Sequence, residues 1–189
     1  MAPPPPAGFA LATFAGGCFW CMEGPFERLD GVAGAISGYT GGREVAPRYK
    51  DVAYGRTGHV EAVRVVYDPA RLTYEALLSV YWRQIDPTDD RGQFADVGAS
   101  YRPMIFVHDQ TQRDAATLSR DALAASGRFE RPLRVPIVDA GAFWVAEEEH
   151  QGFYRTNPDH YQRYRRGSGR EAYLCRVWGV EKGGEGGTG

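Results

Sequence analysis

The chain has 189 residues, of which 43% are hydrophobic and 24% are charged, and its formal net charge at pH 7 is -2. This balance is typical of a soluble globular protein, and the length suffices for one domain with its own core. A net charge so close to zero excludes a bulk electrostatic attraction to nucleic acid or to an anionic membrane. The hydrophobic runs fall short of the roughly 20 residues that a membrane-spanning helix needs.

The two ends of the chain differ in composition from its middle. Residues 1–8 contain four consecutive prolines and are predicted to form a disordered lead. Residues 182–189 are rich in glycine and are predicted to form a flexible tail. No linker or repeat interrupts residues 9–181, which we expect to form one catalytic domain. The N-terminus lacks the basic region of a signal peptide, so we expect a cytoplasmic protein.

Strand and helix patterns alternate along the first half of the chain. An apolar run that ends at Gly16 and Gly17 predicts a strand, and the hydrophobic spacing after it predicts a helix that Pro25 bends. Two alternating segments predict further strands, and the polar stretch between them predicts a loop. The predicted elements are a strand at 9–15, a helix at 18–29, a strand at 32–39, a loop at 43–58 and a strand at 60–67.

The second half of the chain continues this interleaving. Thr73 is a predicted N-cap, and Gly127 follows the best helical pattern in the chain. The predicted elements are a helix at 73–83, a loop at 86–100, a strand at 104–107, a helix at 109–126, a strand at 133–138 and a helix at 144–154. Together they predict an α/β two-layer sandwich with a mixed, partly antiparallel sheet and a ferredoxin-like core.

Cys18 follows two glycines and opens the first predicted helix. The free backbone N–H groups and the dipole at a helix start favour negative charge, so this position predicts a lowered thiol pKa and a nucleophilic thiolate. The adjacent Phe19 and Trp20 cannot both face the core of one helix, so at least one is expected to line a pocket. An unreactive, buried cysteine is the simpler alternative.

A zinc site is a second alternative for the C-x-x-C pair of Cys18 and Cys21. Zinc needs four ligands at suitable spacing, and the chain offers one further cysteine and four scattered histidines. We therefore expect no metal and no cofactor.

Five segments of the chain are the basis of a family resemblance: GGCFWCMEGPF, GYTGG, TGHVEAV, FADVGASYR and HYQRYRRGSGR. In this order they resemble the peptide methionine sulfoxide reductase A family, over about residues 9–180. The resemblance implies a thiol enzyme that reduces methionine S-sulfoxide in proteins, with free methionine sulfoxide as a second expected substrate. It also implies a thioredoxin-like reductant, and we expect a monomer that binds neither nucleic acid nor membrane.

The resemblance implies roles for individual residues. Cys18 would attack the sulfoxide sulfur and become a sulfenic acid, while Phe19 and Trp20 would form an apolar wall around the substrate methyl group. Glu61 would hydrogen-bond and protonate the sulfoxide oxygen, which suits a carboxyl whose pKa burial has raised. On pattern alone, a glutamate on an alternating strand faces solvent. The other matching positions are two tyrosines that would hold the oxygen and an active-site aspartate: Tyr49, Tyr101 and Asp96.

A second thiol is expected to condense with the sulfenic acid and form a disulfide. Cys175 is the preferred resolving thiol because it lies close to the glycine-rich tail, although its alternation with Tyr173 and Val177 also suits a packed strand. Cys21 is the alternative, and direct reduction of the sulfenic acid is a third route. The competing hypotheses are a thioredoxin-like dithiol–disulfide oxidoreductase using Cys18 and Cys21, and a binding module with structural cysteines.

Two other features are predicted to be structural. The arginines in the segment before the tail are interleaved with tyrosines, and we expect a solvated face there rather than a nucleic-acid site. These arginines are Arg163, Arg165, Arg166 and Arg170. His150 is predicted to be a hydrogen-bonded structural histidine outside the catalytic set.

Overall fold

The structure of the protein is a computed structural model that describes residues 1–179. Its strands are β1 (Ala10–Ala15), β2 (Val32–Thr40), β3 (Val60–Tyr67), β4 (Gly92–Gln93), β5 (Asp96–Val97), β6 (Met104–Val107), β7 (Ile137–Asp139) and β8 (Trp144–Val145). Within residues 1–179, six strands form a sheet in the order β7-β6-β1-β3-β2-β8, and β4 and β5 form a separate hairpin.

Helices connect these strands and follow the last one. They are α1 (Phe19–Glu27), α2 (Tyr49–Ala53), α3 (Tyr74–Trp82), α4 (Gln110–Ala125), α5 (Phe153–Thr156), α6 (Pro158–Gly167) and α7 (Arg170–Trp178), with 3-10 turns at Ala99–Tyr101 and Glu148–His150. The side chains of Thr73 and Asp109 cap α3 and α4 by accepting hydrogen bonds from the backbone N–H groups of Ala76 and Gln112. None of the helices in this part of the chain is long and apolar enough to cross a membrane.

The sheet confirms the predicted fold class. Strands β6, β1, β3 and β2 pair antiparallel, and β7 joins β6 in parallel. With α1 after β1 and α3 after β3, the order β6-β1-β3-β2 is a ferredoxin-like βαββαβ arrangement. The register pairs Phe14 with Val63, so the carboxyl end of β1 lies beside the amino end of β3. The first residues of α1 therefore start next to the first residues of β3.

Aromatic side chains fill the layer between the sheet and the helices. The ring of Phe14 on β1 stacks on Phe26 of α1 and on Tyr81 of α3, with centroids 5.2 and 5.0 Å apart. The opposite face of the sheet buries a smaller cluster that includes Phe106 and Phe143. Because successive residues of a strand point to opposite faces, β1 contributes Phe14 to the helical layer and Ala15 to the smaller cluster.

Pro25 lies inside α1, as the sequence indicates. Proline has no N–H group, so the carbonyl of Cys21, four residues earlier, loses its helical donor. The guanidinium of Arg165 on α6 donates to that carbonyl over 3.2 Å. This contact joins α6 to α1 one turn after Cys18.

Several predicted elements differ in the structure. The helix predicted at 144–154 is wrong, because this segment contains β8, the turn Glu148–His150 and the start of α5. The predicted loops at 43–58 and 86–100 contain α2 and the β4-β5 hairpin, and the strand predicted at 133–138 is the short β7. The strand pattern around Cys175 is also wrong, because that residue lies in α7.

The predicted termini have different outcomes. Residues 1–8 form no helix or strand, and the backbone N–H of Ala2 donates to the carbonyl of Phe143 over 3.0 Å. The tail predicted at 182–189 lies outside the described residues. The division into a lead, one domain and a tail therefore stays a prediction.

Candidate active site

Cys18 occupies the N-cap position of α1, directly after a tight turn. The turn needs glycine at Gly17, whose φ is +83° and where a Cβ atom would lie 2.6 Å from the Cβ of Gln93. The Cys18 side chain is only 6% exposed. The chain thus places a buried thiol at the start of a helix, just after the carboxyl end of the interior strand β1.

Arg170 supports this turn from the far end of the sequence. Its guanidinium donates to the carbonyl of Gly16 over 2.9 Å and to the carbonyl of Gln84, and it lies over the ring of Phe94. The residue is 1% exposed, so its predicted place on a solvated arginine face is wrong. A buried guanidinium keeps its charge and must find acceptors, and the backbone carbonyls around the Cys18 turn supply them.

The predicted lowering of the Cys18 pKa is wrong. Burial raises the pKa of the thiol well above its usual value, and the carboxyl groups of Glu61 and Asp96 raise it further. A hydrogen bond with the Tyr164 hydroxyl acts in the opposite direction and lowers the Cys18 pKa. In the resting fold Cys18 is therefore a protonated thiol.

Glu61 lies on β3 beside the start of α1 and is 1% exposed, so the solvent-facing alternative is wrong. Its Oε2 accepts a hydrogen bond from the backbone N–H of Phe19 over 3.0 Å. Burial raises the pKa of Glu61 to about 8, and the neighbouring Asp96 raises it as well. At pH 7 the carboxyl is neutral in most molecules, and a neutral carboxyl can donate a proton.

The two predicted tyrosines reach the same region from different elements. Tyr49 is the first residue of α2, and Tyr101 ends the 3-10 turn Ala99–Tyr101. Burial raises the pKa of Tyr49 to about 12 and also raises the pKa of Tyr101, and Glu61 and Cys18 contribute to both shifts. Both hydroxyls are therefore protonated donors at neutral pH, close to the thiol and the carboxyl.

Asp96 on β5 is held by Tyr164, a residue that the sequence analysis did not single out as functional. The Tyr164 hydroxyl on α6 donates to Oδ2 of Asp96, and its ring meets Trp20 edge-on with centroids 5.9 Å apart. Burial raises the pKa of Asp96, and the hydrogen bond from Tyr164 opposes this shift. The segment HYQRYRRGSGR supports the family resemblance, but no local pattern distinguishes Tyr164 from its neighbour Tyr161, which is buried in the core.

The two aromatic residues after Cys18 both pack against other aromatic rings. The Phe19 ring is buried beside Tyr39 and Tyr49, with centroids 5.9 and 6.5 Å away. Trp20 is half-buried and stacks on Phe153, with centroids 3.8 Å apart and an interplanar angle of 8°. The pair therefore provides one buried and one half-buried apolar surface next to the thiol.

Glu147 is a further residue that the sequence analysis did not place at the site. It accepts hydrogen bonds from the Tyr39 hydroxyl over 2.7 Å and from the Tyr49 backbone N–H over 2.9 Å. These bonds attach α2 to the segment after β8. An open cavity of about 410 Å³ lies here, and its lining consists of Arg48, Tyr49, Lys50, Asp51, Arg56, Glu147 and Glu149.

The three cysteines are free thiols in different environments. Cys21 is fully buried with Phe153 and Tyr161, and it lies one helical turn from Cys18 on the same face of α1. Cys175 is half-buried on α7. Among residues 1–179, histidine, cysteine, aspartate and glutamate form no group of three that could hold a metal ion.

Comparisons with known proteins show which family the chain is similar to. The family model described as "Peptide methionine sulfoxide reductase" matches residues 10–182. The peptide methionine sulfoxide reductase MsrA of Listeria monocytogenes serotype 4b is 52% identical over 167 residues, covering 88% of this chain and 94% of the relative.

Solved structures with the same fold include enzymes of this kind. Reduced Mxr1 from Saccharomyces cerevisiae has a TM-score of 0.77 at 28% identity, covering 83% of this chain and 90% of that one. Methionine sulfoxide reductase A of Corynebacterium diphtheriae has a TM-score of 0.71 at 31% identity, and the match covers 80% of this chain and 76% of that one. Mxr1 from Saccharomyces cerevisiae in complex with Trx2 shares the fold at 22% identity, with a TM-score of 0.57. The match covers 79% of this chain and 89% of that one. The match over most of the chain confirms the resemblance, and the chain belongs to the peptide methionine sulfoxide reductase family.

Proposed function

We propose that this peptide methionine sulfoxide reductase carries out its reaction at Cys18, with Glu61 as the proton donor. The observation that carries the proposal is the buried carboxyl of Glu61 at the start of α1, hydrogen-bonded to the N–H of the residue after Cys18. A thiol nucleophile and a neutral carboxylic acid in one buried site are the two groups that sulfoxide reduction needs.

In the proposed reaction, the Cys18 sulfur attacks the sulfur of methionine sulfoxide. The Glu61 carboxyl donates its proton to the sulfoxide oxygen, whose basicity increases as sulfur is attacked, and the hydroxyls of Tyr49 and Tyr101 hold that oxygen by hydrogen bonds. The attack forms an S–S bond, and the Cys18 thiol proton also moves to the oxygen, so the S–O bond breaks and the oxygen leaves as water. A water molecule then attacks the Cys18 sulfur and displaces methionine by breaking the S–S bond. Cys18 is left as a sulfenic acid, and the proton released by the water returns to Glu61. Phe19 and Trp20 contact the substrate methyl group, and preference for the S epimer would follow from which side of the sulfur they occupy.

Asp96 and Tyr164 have a proposed role at the nucleophile. A hydroxyl group has one donor and two acceptor positions, so Tyr164 can donate to Asp96 and accept from the Cys18 thiol at the same time. Once Cys18 ionises, the same hydroxyl can turn and donate to the thiolate. This contact favours the charged form of Cys18, in agreement with its lowering effect on the Cys18 pKa.

The fold supports Cys21 over the sequence-based preference, Cys175, as the first resolving thiol. Cys21 lies one turn from Cys18, whereas Cys175 lies five residues after Arg170 on α7, about 7.5 Å further along the axis and about 140° around it. Arg170 faces the Cys18 turn, so Cys175 would reach the site only if α7 moved. Condensation of the Cys21 thiol with the sulfenic acid releases water and forms the disulfide.

We also propose that a thioredoxin-like dithiol reopens this disulfide, that the chain acts as a monomer, and that it works in the cytoplasm. The first of these is supported by the structure of yeast Mxr1 in complex with Trx2. The near-neutral net charge and the absence of a membrane-spanning helix among residues 1–179 are compatible with the others.

The test supplies a peptide containing methionine sulfoxide, with dithiothreitol as reductant, to the wild type and to Cys18→Ser. We expect reduction by the wild type and none by Cys18→Ser, and a wild type without activity would overturn the proposal. Peptide mapping after one turnover without reductant should find a Cys18–Cys21 disulfide. A Cys18–Cys175 disulfide in wild type would overturn the assignment of Cys21 and leave the reaction at Cys18 intact.

A further inference from the structure

We propose that Arg64 forms a binding site for a small oxyanion, such as phosphate, on the face of the sheet opposite Cys18. This residue of β3 is 8% exposed, and its Nε is buried without a hydrogen-bond partner. Within residues 1–179, its guanidinium forms no hydrogen bond and no ion pair. A guanidinium stays charged and carries five N–H donors, so this position lacks a negatively charged ligand that accepts hydrogen bonds.

Arg170 shows how the same fold treats another buried guanidinium. Arg170 is 1% exposed and donates to the backbone carbonyls of Gly16 and Gln84. Around Arg64, by contrast, burial lowers the pKa and no carboxylate opposes this shift. Removing a charge from water without giving it a partner disfavours the fold, so an anion that enters the site would stabilise the folded chain.

The ring of Phe143 contacts the Arg64 guanidinium but does not satisfy it. The ring centroid lies 4.4 Å from Cζ of Arg64, which is a cation–π distance. This contact attracts the positive charge, yet it supplies no lone pair to the N–H donors. The carbonyl of Phe143 accepts the N–H of Ala2 over 3.0 Å, so this wall of the site is tied to the start of the chain.

Two polar side chains lie beside Arg64 on the same face of the sheet. Thr13 of β1 is directly opposite Arg64 in the register, which places their Cβ atoms about 5 Å apart. The Thr13 hydroxyl lies 2.9 Å from Nε2 of His108, the residue after β6. When the imidazole donates in this bond, the hydroxyl proton of Thr13 is free to bind a ligand.

The charges around His108 agree with an unpaired cation at this place. Burial lowers the pKa of His108, and the positive charge of Arg64 lowers it further. The carboxylate of Asp109 opposes this shift, but it caps α4 by accepting the N–H of Gln112. The acid nearest to the cluster is therefore engaged elsewhere.

The surroundings of Arg64 determine the class of ligand. A guanidinium binds two oxygens of one oxyanion at once, and the Thr13 hydroxyl can donate to a third. Because only 8% of Arg64 is exposed, the opening suits an ion of a few atoms. A tetrahedral oxyanion such as phosphate or sulfate has this size, charge and number of acceptors.

This inference is independent of the proposed function. Successive residues of a strand face opposite sides, so Glu61 points toward the helices and Arg64, three residues later, points away from them. An anion at Arg64 would stabilise the fold and would not enter the reaction. A wild type that fails to reduce methionine sulfoxide would therefore refute the proposed function and leave the anion site intact.

The test measures thermal unfolding in millimolar sodium phosphate and in sodium chloride of the same ionic strength and pH. A ligand that binds only the folded chain raises the Tm as its concentration increases. At ten times its Kd, phosphate should raise the Tm by about 3–6 °C relative to chloride. Sulfate should have the same effect, because it offers the same tetrahedral arrangement of oxygens.

Two arginine variants separate a specific site from a general effect of the salts. Arg64→Met removes the charge and the donors, so it should abolish the difference in Tm between phosphate and chloride. Arg43→Met is the matched control, because Arg43 is exposed and its loss should leave this difference unchanged. An equal difference in Arg64→Met would show that phosphate acts on the whole surface and would overturn the inference, as would a wild type without any difference.

A second readout needs no variant of Arg64. The imidazole signal of His108, assigned by its loss in His108→Gln, should shift with phosphate and reach saturation. Phosphate offsets the positive charge that lowers the His108 pKa, so at about pH 6 the signal should move toward its protonated position. A His108 signal that phosphate does not move would overturn the inference even if Arg64→Met does not fold.

Discussion

Replacing Glu61 with glutamine should stabilise the fold and abolish most of the activity. The glutamine side chain keeps an oxygen that can accept the hydrogen bond from the Phe19 N–H. Unlike glutamate, glutamine cannot ionise. In the wild type, burial raises the pKa of Glu61 from 4.5 to about 8. Ionisation at pH 7 thus stabilises the unfolded chain by about 3 kcal/mol and stabilises the folded chain very little. Glu61→Gln removes this difference.

The sign and size of the effect depend on pH. A carboxyl with a raised folded pKa favours the fold fully below its ordinary pKa of 4.5, and this advantage is lost as pH rises through about 8. The gain in the free energy of unfolding of Glu61→Gln should therefore be near zero at pH 4, about 3 kcal/mol at pH 7 and about 5 kcal/mol above pH 8. For a chain of this length, the gain at pH 7 corresponds to a Tm increase of roughly 6–12 °C.

Urea and thermal unfolding at several pH values measure this gain, and steady-state assays measure the loss of the proton donor. Removal of a general acid should lower kcat by about 100-fold or more. Glu130→Gln is the control, because Glu130 is exposed and its replacement should change neither stability nor rate. A Glu61→Gln variant that is no more stable than wild type at pH 7, or whose gain does not vary with pH, would refute a neutral Glu61 in the fold.

Three further substitutions test the supports of the thiol. Tyr164→Phe removes the hydroxyl that favours the Cys18 thiolate, so alkylation of Cys18 by iodoacetamide at pH 8 and kcat should each fall about tenfold, with little change in Tm. Arg170→Met leaves two buried backbone carbonyls without their charged donor and should cost about 3 kcal/mol in urea unfolding; a loss below about 1 kcal/mol would contradict this role. Gly17→Ala adds a Cβ at a φ of +83° and should cost about 1–3 kcal/mol, whereas Gly141→Ala, with open space around its Cβ, should be tolerated.

Features with local causes could be predicted from the sequence. The alternation in VEAVRVVY predicts β3, and Thr73 predicts the start of α3. The glycines before Cys18 predict a turn followed by a helix, and the structure contains all three elements. Each of these elements depends on residues that are neighbours in the chain, so a short stretch of sequence suffices to predict it. The position of Glu61 beside α1 depends on residues far apart in the chain, and only the family resemblance indicated it.

The segment after β8 shows why a helical pattern can fail. Its hydrophobic spacing suits a helix at 144–154, but a side chain and a backbone N–H of this segment form hydrogen bonds with β2 and α1 instead. The amide of Gln151 pairs with both the N–H and the carbonyl of Ser37, and the carboxylate of Glu23 accepts the N–H of Gly152. These partners lie more than 100 residues earlier in the chain, and they override a weak local preference.

The same reasoning explains why Tyr164 was missed and Arg170 was misassigned. A tyrosine or an arginine in a polar helix is usually on the surface, and its pattern carries no information about a partner in another element. Arg170 contacts Gly16, 154 residues earlier, and His150 accepts from Trp20, 130 residues earlier. Such contacts exist only once the sheet has brought α1 next to the C-terminal segments.

The pKa of Cys18 depends on which of two effects is larger. A helix N-terminus stabilises a negative charge by about 0.3–1 kcal/mol, whereas full burial can shift a pKa by three or more units, about 4 kcal/mol. Burial therefore outweighs the dipole, and an ionised Glu61 would repel the thiolate further. The neutral form of Glu61 thus serves the reaction twice, because it supplies the proton for the sulfoxide oxygen and removes a negative charge from beside Cys18. As pH rises through about 8, the pKa of Glu61, the carboxyl loses the proton that it would donate and gains a negative charge beside Cys18. We therefore expect kcat/KM to fall in this range, even though free thiols become more reactive as they ionise.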